Sequence, residues 1–180
     1  MYLSIDFEDS HHDLKRALGL WKSGPIKTKE LWKKYENINN FLKKYGKENG
    51  KLATFFCTGV LAEKAPELIH QISKDGHEIA CHYFFHDIVK NEDSNHLYKM
   101  LLKAKNCLES ASEKPIKGFR APCFAINKKT PEQYKILEEI FDYDSSFHCS
   151  SLKMIEDFKK RMKLKKLKIL PLFSHNFFGK

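Results

Sequence analysis

The run LATFFCTG, Leu52–Gly59, is rich in apolar and aromatic residues and bounded by turn residues, the composition of a strand buried within a parallel sheet. Working outward from it, helical and strand-like periods alternate. Upstream, alternating apolar residues in MYLSI, Met1 to Ile5, mark a short strand ending at the acids Asp6, Glu8 and Asp9. A turn at Ser23, Gly24 and Pro25 follows. From about Lys27 to Tyr45, Leu31, Tyr35, Ile38 and Leu42 then fall at helical spacing, closed by Gly46 and Gly50.

Downstream, a helix is expected over Leu61–Lys74, stopped by Asp75 and Gly76. HEIAC (77–81) reads as a third strand, Asn95–Ser112 as a helix, and GFRAP (118–122) as a fourth strand. Pro131–Ile140, the segment FDYDSS (141–146), Leu152–Leu164 and LKILPLF (167–173) continue the series as helix, strand, helix and strand. Alternation of this kind implies βαβ units, so the expected fold class is α/β, a sheet or barrel of parallel strands. Its functional site should sit at the strands' carboxyl ends, where Asp6, His82 and Arg120 fall.

With 180 residues and 42% of them hydrophobic, the chain suits one domain spanning 1–180, with no internal linker. The apolar runs are far shorter than the roughly 20 residues of a membrane span. The opening MYLSIDFED has no signal-peptide pattern, so a cytoplasmic location is the default expectation. The cysteines Cys57, Cys81, Cys107, Cys123 and Cys149 are scattered and never form a CxxC pair, which argues for reduced thiols over a disulfide framework or structural zinc site. A net charge of +9 would favour anionic partners, but runs such as FKKRMKLKKLK read as solvated helix faces, and no nucleic-acid recognition motif is present.

Within HEIACHYFFH (77–86), His82 and His86 stand four apart, a spacing that can present two imidazoles to one metal ion. His77 precedes the pair on the strand and reads as structural. A carboxylate from the first strand would complete three ligands and leave an open position for water. Asp6 and Glu8 share one side of a continuing strand, so one acid could bind metal while the other takes a proton.

Three segments in order, LSIDFED (3–9), GHEIACHYFFH (76–86) and GFRAPCFAI (118–126), resemble the motifs of the polysaccharide deacetylase superfamily, the NodB homology or carbohydrate esterase family 4 group. ATFFCTGVLAEKAPELI (53–69) resembles that family's second strand and helix, and FDYDSS its next strand. The forms DFED and FRAPCFAI look closest to the exopolysaccharide-locus branch. The resemblance implies a distorted (β/α) barrel and metal-dependent N-deacetylation of an N-acetylhexosamine-containing glycan or glycan precursor. It implies a divalent metal, usually zinc, on His82, His86 and an acid, with Co, Mn, Fe or Ni able to fill the same site. Asp6 matches the catalytic base and Arg120 the arginine that orients it. The carboxylate ligand is left between Glu8 and Asp9, with acid-x-acid members favouring Glu8. Pro122 and Cys123 match the substrate-binding third motif, where the Cys123 backbone N–H would face the oxyanion.

One part of the pattern is missing. The family's late histidine, the general acid, has no clear counterpart; His175 and His148 are weak candidates. The domain is therefore expected to be incomplete at its C-terminal end, with sheet edges that self-association or a partner chain could cover. The competing functions are hydrolysis of a small amide or cyclic imide, as in the allantoinase-like branch, and a non-catalytic metal- and glycan-binding relative.

Overall fold

The structure, a computed structural model, describes residues 3–9, 26–45, 52–149 and 151–173. The apolar run at 52–59 forms β2 (Ala53–Cys57), paired in parallel on both edges. On one side lies β1 (Leu3–Phe7), with Leu3 opposite Ala53 and Phe7 opposite Cys57; on the other lies β3 (Glu78–Cys81), with Cys57 opposite Cys81. Then come β4 (Gly118–Phe119), β5 (Tyr143–Asp144), β6 (His148–Cys149), β7 (Lys168–Ile169) and β8 (Leu172–Phe173). The main sheet runs β1-β2-β3-β4-β5-β7, parallel throughout, while β6 and β8 form a separate parallel pair.

Among the described residues, six helices fill the connections: α1 (Thr28–Tyr45), α2 (Gly59–Lys64), α3 (Pro66–Lys74), α4 (Ser94–Ser112), α5 (Glu132–Ile140) and α6 (Leu152–Met162). Parallel strands laid down in chain order with helical crossovers are the winding of a distorted (β/α) barrel. Among the described residues, no strand pairing joins β7 or β8 back to β1.

Strand alternation decides what each face does. One face carries Phe7, Phe55, Cys57, Ile79, Cys81 and Phe119, all buried in the apolar core. Phe7, Phe55 and Tyr35 of α1 meet edge to face, with Phe7–Phe55 ring centroids 5.6 Å apart and Tyr35–Phe55 5.9 Å. The opposite, concave face is largely polar, with Phe56 and Ala80 among its residues. There Thr54 donates to Glu78 Oε2 at 2.6 Å and Tyr143 donates to Glu78 Oε1 at 2.9 Å.

Several expectations need correction. The helix expected over Leu61–Lys74 is two helices, because Pro66 disfavours helical geometry at Ala65, which sits at φ −143° and ψ 57°. GFRAP is a strand only over Gly118–Phe119; Pro122–Phe124 form a 3-10 turn with Cys123 and Phe124 at positive φ. LKILPLF does not run as one strand: Leu170 and Pro171 separate β7 from β8, which belong to different sheets. The turn at 23–25, the glycines at 46 and 50, and His175 lie outside the described residues. Among the described residues, no helix is long and apolar enough to cross a membrane.

The five cysteines are free thiols, and burial pushes Cys81 up to about 12. His77 is buried, as a structural residue should be: Ala53 N–H donates to its Nδ1 at 3.2 Å, and its Nε2 meets Asn39 Oδ1 at 3.3 Å. Asn39 in turn donates to Asp75, which also accepts from Tyr35, so this network ties α1 to the turn before β3.

Gly59 opens α2 where two elements crowd it. A Cβ there would meet Phe84 Cδ2 at 2.7 Å and Ala104 Cα at 2.8 Å. Gly59→Ala should therefore cost about 1–3 kcal/mol as overpacking, seen as a lower urea midpoint with an unchanged slope. An unaltered midpoint would show that this helix contact yields freely.

Candidate functional site

Arg120 lies directly after β4, its N–H continuing the ladder to Cys81 C=O at 2.9 Å. The side chain is only 4% exposed, so its charge must be compensated within the protein. Nη1 donates to Asp6 Oδ1 at 2.6 Å, and Nη2 donates to Ser4 Oγ at 2.8 Å and Ser145 Oγ at 3.0 Å. Nε donates to the Ser145 carbonyl at 3.3 Å. The guanidinium also lies 3.9 Å from the Phe56 ring centroid, a cation–π contact on the concave face. Alternation along β1 places Ser4 and Asp6 on that face together.

The histidines reach the same face from the end of β3. His82 N–H donates to Cys57 C=O at 2.8 Å, and its Nδ1–H donates to the Arg120 carbonyl at 2.8 Å. That bond fixes the tautomer and leaves the Nε2 lone pair free to bind a ligand. Burial pulls the His82 pKa below its ordinary value, against the opposing pull of Asp6 and Glu8, which favours the neutral ring.

The four-residue spacing to His86 is not a helical turn. A bend at residues 84–86 follows Tyr83 at φ 67°, and Gly59 and Val60 at the start of α2 donate to the Tyr83 and Phe84 carbonyls at 2.9 Å each. This returns His86 beside His82, with ring centroids 5.3 Å apart.

Glu8 completes the cluster. Its Oε2 lies 3.0 Å from His86 Nε2 and 3.8 Å from His82 Nε2, and ligand atoms from all three residues lie within 4.8 Å of one another. Yet Glu8 Oε2 is buried without a hydrogen-bond partner. A buried carboxylate oxygen so placed is costly unless a cation satisfies it. Two imidazoles and one carboxylate are an appropriate donor set for a divalent metal.

Asp9, the alternative carboxylate ligand, is held elsewhere. It is buried, and its Oδ2 accepts from Lys27 N–H at 3.0 Å just before α1. Pro122 is buried and Cys123 exposed, in the turn directly after Arg120 and Ala121. His148 is exposed on β6, its ring edge-on to Phe124 at 4.5 Å between centroids.

Sequence reasoning missed the serines around Arg120. Ser4 could have been found from strand alternation with Asp6, but Ser145 and Ser146 required the tertiary fold. Ser146 Oγ accepts from Ala121 N–H at 2.8 Å and donates to Asp144 Oδ1 at 2.5 Å. Burial pushes Asp144 up to about 6.

The polysaccharide deacetylase family profile matches residues 27–138, which include both histidines and Arg120. The chain is 32% identical over 77 residues to a chitooligosaccharide deacetylase of Azorhizobium caulinodans, covering 42% of this chain and 37% of that protein. It is 35% identical over 75 residues to a peptidoglycan-N-acetylglucosamine deacetylase of Bacillus cereus, covering 42% of this chain and 35% of that one. Each alignment thus spans little more than a third of the curated relative.

A solved structure from Mycobacterium smegmatis, provisionally assigned as a polysaccharide deacetylase, superposes with a TM-score of 0.72 at 21% identity, over 99% of this chain and 64% of that one. A mutant CE4 family pseudoenzyme with restored enzymatic activity, from Bacillus anthracis, gives 0.59 at 18% identity, over 97% and 56% of the two chains. These structural likenesses describe the fold.

The Arg120–Asp6 pair should be strongly coupled. A double-mutant cycle with Asp6→Asn and Arg120→Met should give an interaction energy of at least about 1 kcal/mol, moderated by the partial exposure of Asp6. Additive effects in urea unfolding would contradict the pairing.

Proposed function

The chain belongs to the polysaccharide deacetylase family, and from that premise we propose that it hydrolyses the N-acetyl group of an N-acetylhexosamine in a glycan or glycan precursor. In this reading Glu8, His82 and His86 hold a divalent metal. The observation that carries it is the buried Glu8 Oε2, which has no hydrogen-bond partner and lies 3.0 Å and 3.8 Å from two histidine Nε2 atoms. Zinc suits this set, and Co, Mn, Fe or Ni compete for it according to availability.

Bound there, the metal supplies a Lewis acid that polarises the acetamide carbonyl and makes a water easier to deprotonate. The protein's own groups perform the positioning and proton transfer. Asp6, with Oδ1 fixed by Arg120, offers its other oxygen to take the proton of the attacking water. The Cys123 backbone N–H donates to the amide oxygen as negative charge develops, a role that needs no thiol chemistry. Asp6, protonated in the first step, then gives its proton to the departing amine. Arg120 serves both groups, since its side chain orients Asp6 while its carbonyl orients His82.

The test pairs zinc binding with acetate release from N-acetylglucosamine oligomers. His82→Ala and Glu8→Gln should each lose zinc affinity by at least the roughly tenfold that losing a mere outer-shell partner costs, whereas Asp9→Asn should keep it. Asp6→Asn should retain zinc and lose acetate release by about 10²–10⁴-fold. Undiminished release from Asp6→Asn would overturn the assignment of the base. Stoichiometric zinc with no release from the unaltered chain would instead mark a non-catalytic relative.

A further inference from the structure

The loops leaving β3 and β4 each begin with residues of the site and continue to lysines. The first runs from His82 and His86 to Lys90; the second runs from Arg120 and Cys123 to Lys128 and Lys129. Gln133, 4% exposed at the start of α5, clamps the two together. Its Nε2 donates to the Val89 carbonyl at 2.7 Å and the Lys90 carbonyl at 3.4 Å, and its Oε1 accepts from Asn127 N–H at 2.9 Å.

Two further bonds complete the surface. Lys128 Nζ donates to the Phe124 carbonyl at 2.9 Å, within the turn that carries Cys123, and Arg161 Nη2 donates to the Lys128 carbonyl at 3.3 Å. Lys90, Lys129 and Arg161 are exposed, and Lys128 is half-buried.

Ion pairing with acids neutralises some of the other lysines. Lys135 pairs with Glu138 at 3.1 Å and Lys27 with Glu30 at 3.3 Å. Among the described residues, Lys90, Lys128, Lys129 and Arg161 have no ion pair with an acid. Burial lowers the Lys128 pKa, the nearby Asp144 carboxylate opposes that shift, and Lys90 adds to it. Asp144 is set against Lys128, while the exposed Lys90, Lys129 and Arg161 present positive charge to solvent, where an anion would be attracted.

We propose that Lys90, Lys128, Lys129 and Arg161 form an anion subsite, and that the glycan acted on carries carboxylate or phosphate groups close to its acetamido sugar. This rests on the proposed hydrolase reading, because it takes the loops of His86 and Cys123 as the walls of the substrate site. A glycan is favoured over nucleic acid because three of the four cations, Lys90, Lys128 and Lys129, continue from those two loops.

The test is equilibrium binding of four probes to the zinc-loaded chain: an N-acetylglucosamine hexamer, a hyaluronan hexasaccharide, UDP-N-acetylglucosamine and a thymidine hexanucleotide. At about 0.01 M salt, where the screening length is ~30 Å, one anionic sugar probe should bind at least about tenfold tighter than the neutral hexamer. Hyaluronan in that position identifies carboxylate recognition, and the nucleotide sugar identifies phosphate recognition. The preference should collapse toward unity at about 1 M salt and in the combined Lys90→Gln, Lys129→Gln, Arg161→Gln variant.

Equal binding of neutral and anionic sugars, a preference that survives in the triple variant, or equally tight binding of the hexanucleotide would each overturn the proposal. Binding is read without turnover. An intact preference without acetate release would therefore count against the hydrolase reading alone, and acetate release without a preference against the subsite alone.

Discussion

Arg120 joins the two halves of the site through a single residue. Its guanidinium reaches Asp6, Ser4 and Ser145, its face lies on Phe56, and its carbonyl accepts from His82. A buried guanidinium without such partners would be strongly unfavourable, so the arrangement of β1, β3 and β5 around it is constrained by charge as well as by packing. The short β4 places the residue where its own N–H makes the last backbone bond to Cys81 before the chain turns. From there the side chain sets the carboxylate and the main chain sets the imidazole.

The remaining cluster depends on a different local device. His86 returns to His82 because Tyr83 takes a left-handed conformation and the first amides of α2 hold the loop carbonyls. Gly59 permits that approach, since a side chain there would collide with Phe84 and with the α4 backbone. Helix packing and ligand placement are thus linked through one glycine. The Glu8 oxygen, buried without a hydrogen-bond partner and beside both imidazoles, is then the feature that a bound cation would satisfy.

Much of this was legible from residue order. The apolar Leu52–Gly59 run, the helical spacing of Leu31, Tyr35, Ile38 and Leu42, and the strand-end positions of the acids and histidines gave the parallel α/β order. Local chemistry was less fully read: Pro66 should have divided the following helix, and Pro171 should have weakened a continuous last strand. Other features were tertiary in origin. Asp9 and Glu8 are neighbours in sequence, yet only the packing of α1 shows that Asp9 meets Lys27 while Glu8 meets the histidines. Similarly, Ser145 is unremarkable in sequence until the fold brings it to Arg120, and the basic surface draws its four cations from three separated segments.

The central claim is that Glu8, His82 and His86 form one metal centre. X-ray absorption at the zinc edge of the metal-loaded chain tests it most directly. The expected ligand shell is two imidazole nitrogens with oxygen donors at about 2.0–2.2 Å and no sulfur. A sulfur shell at about 2.3 Å, or a shell without imidazole scattering, would place the metal elsewhere and contradict the claim.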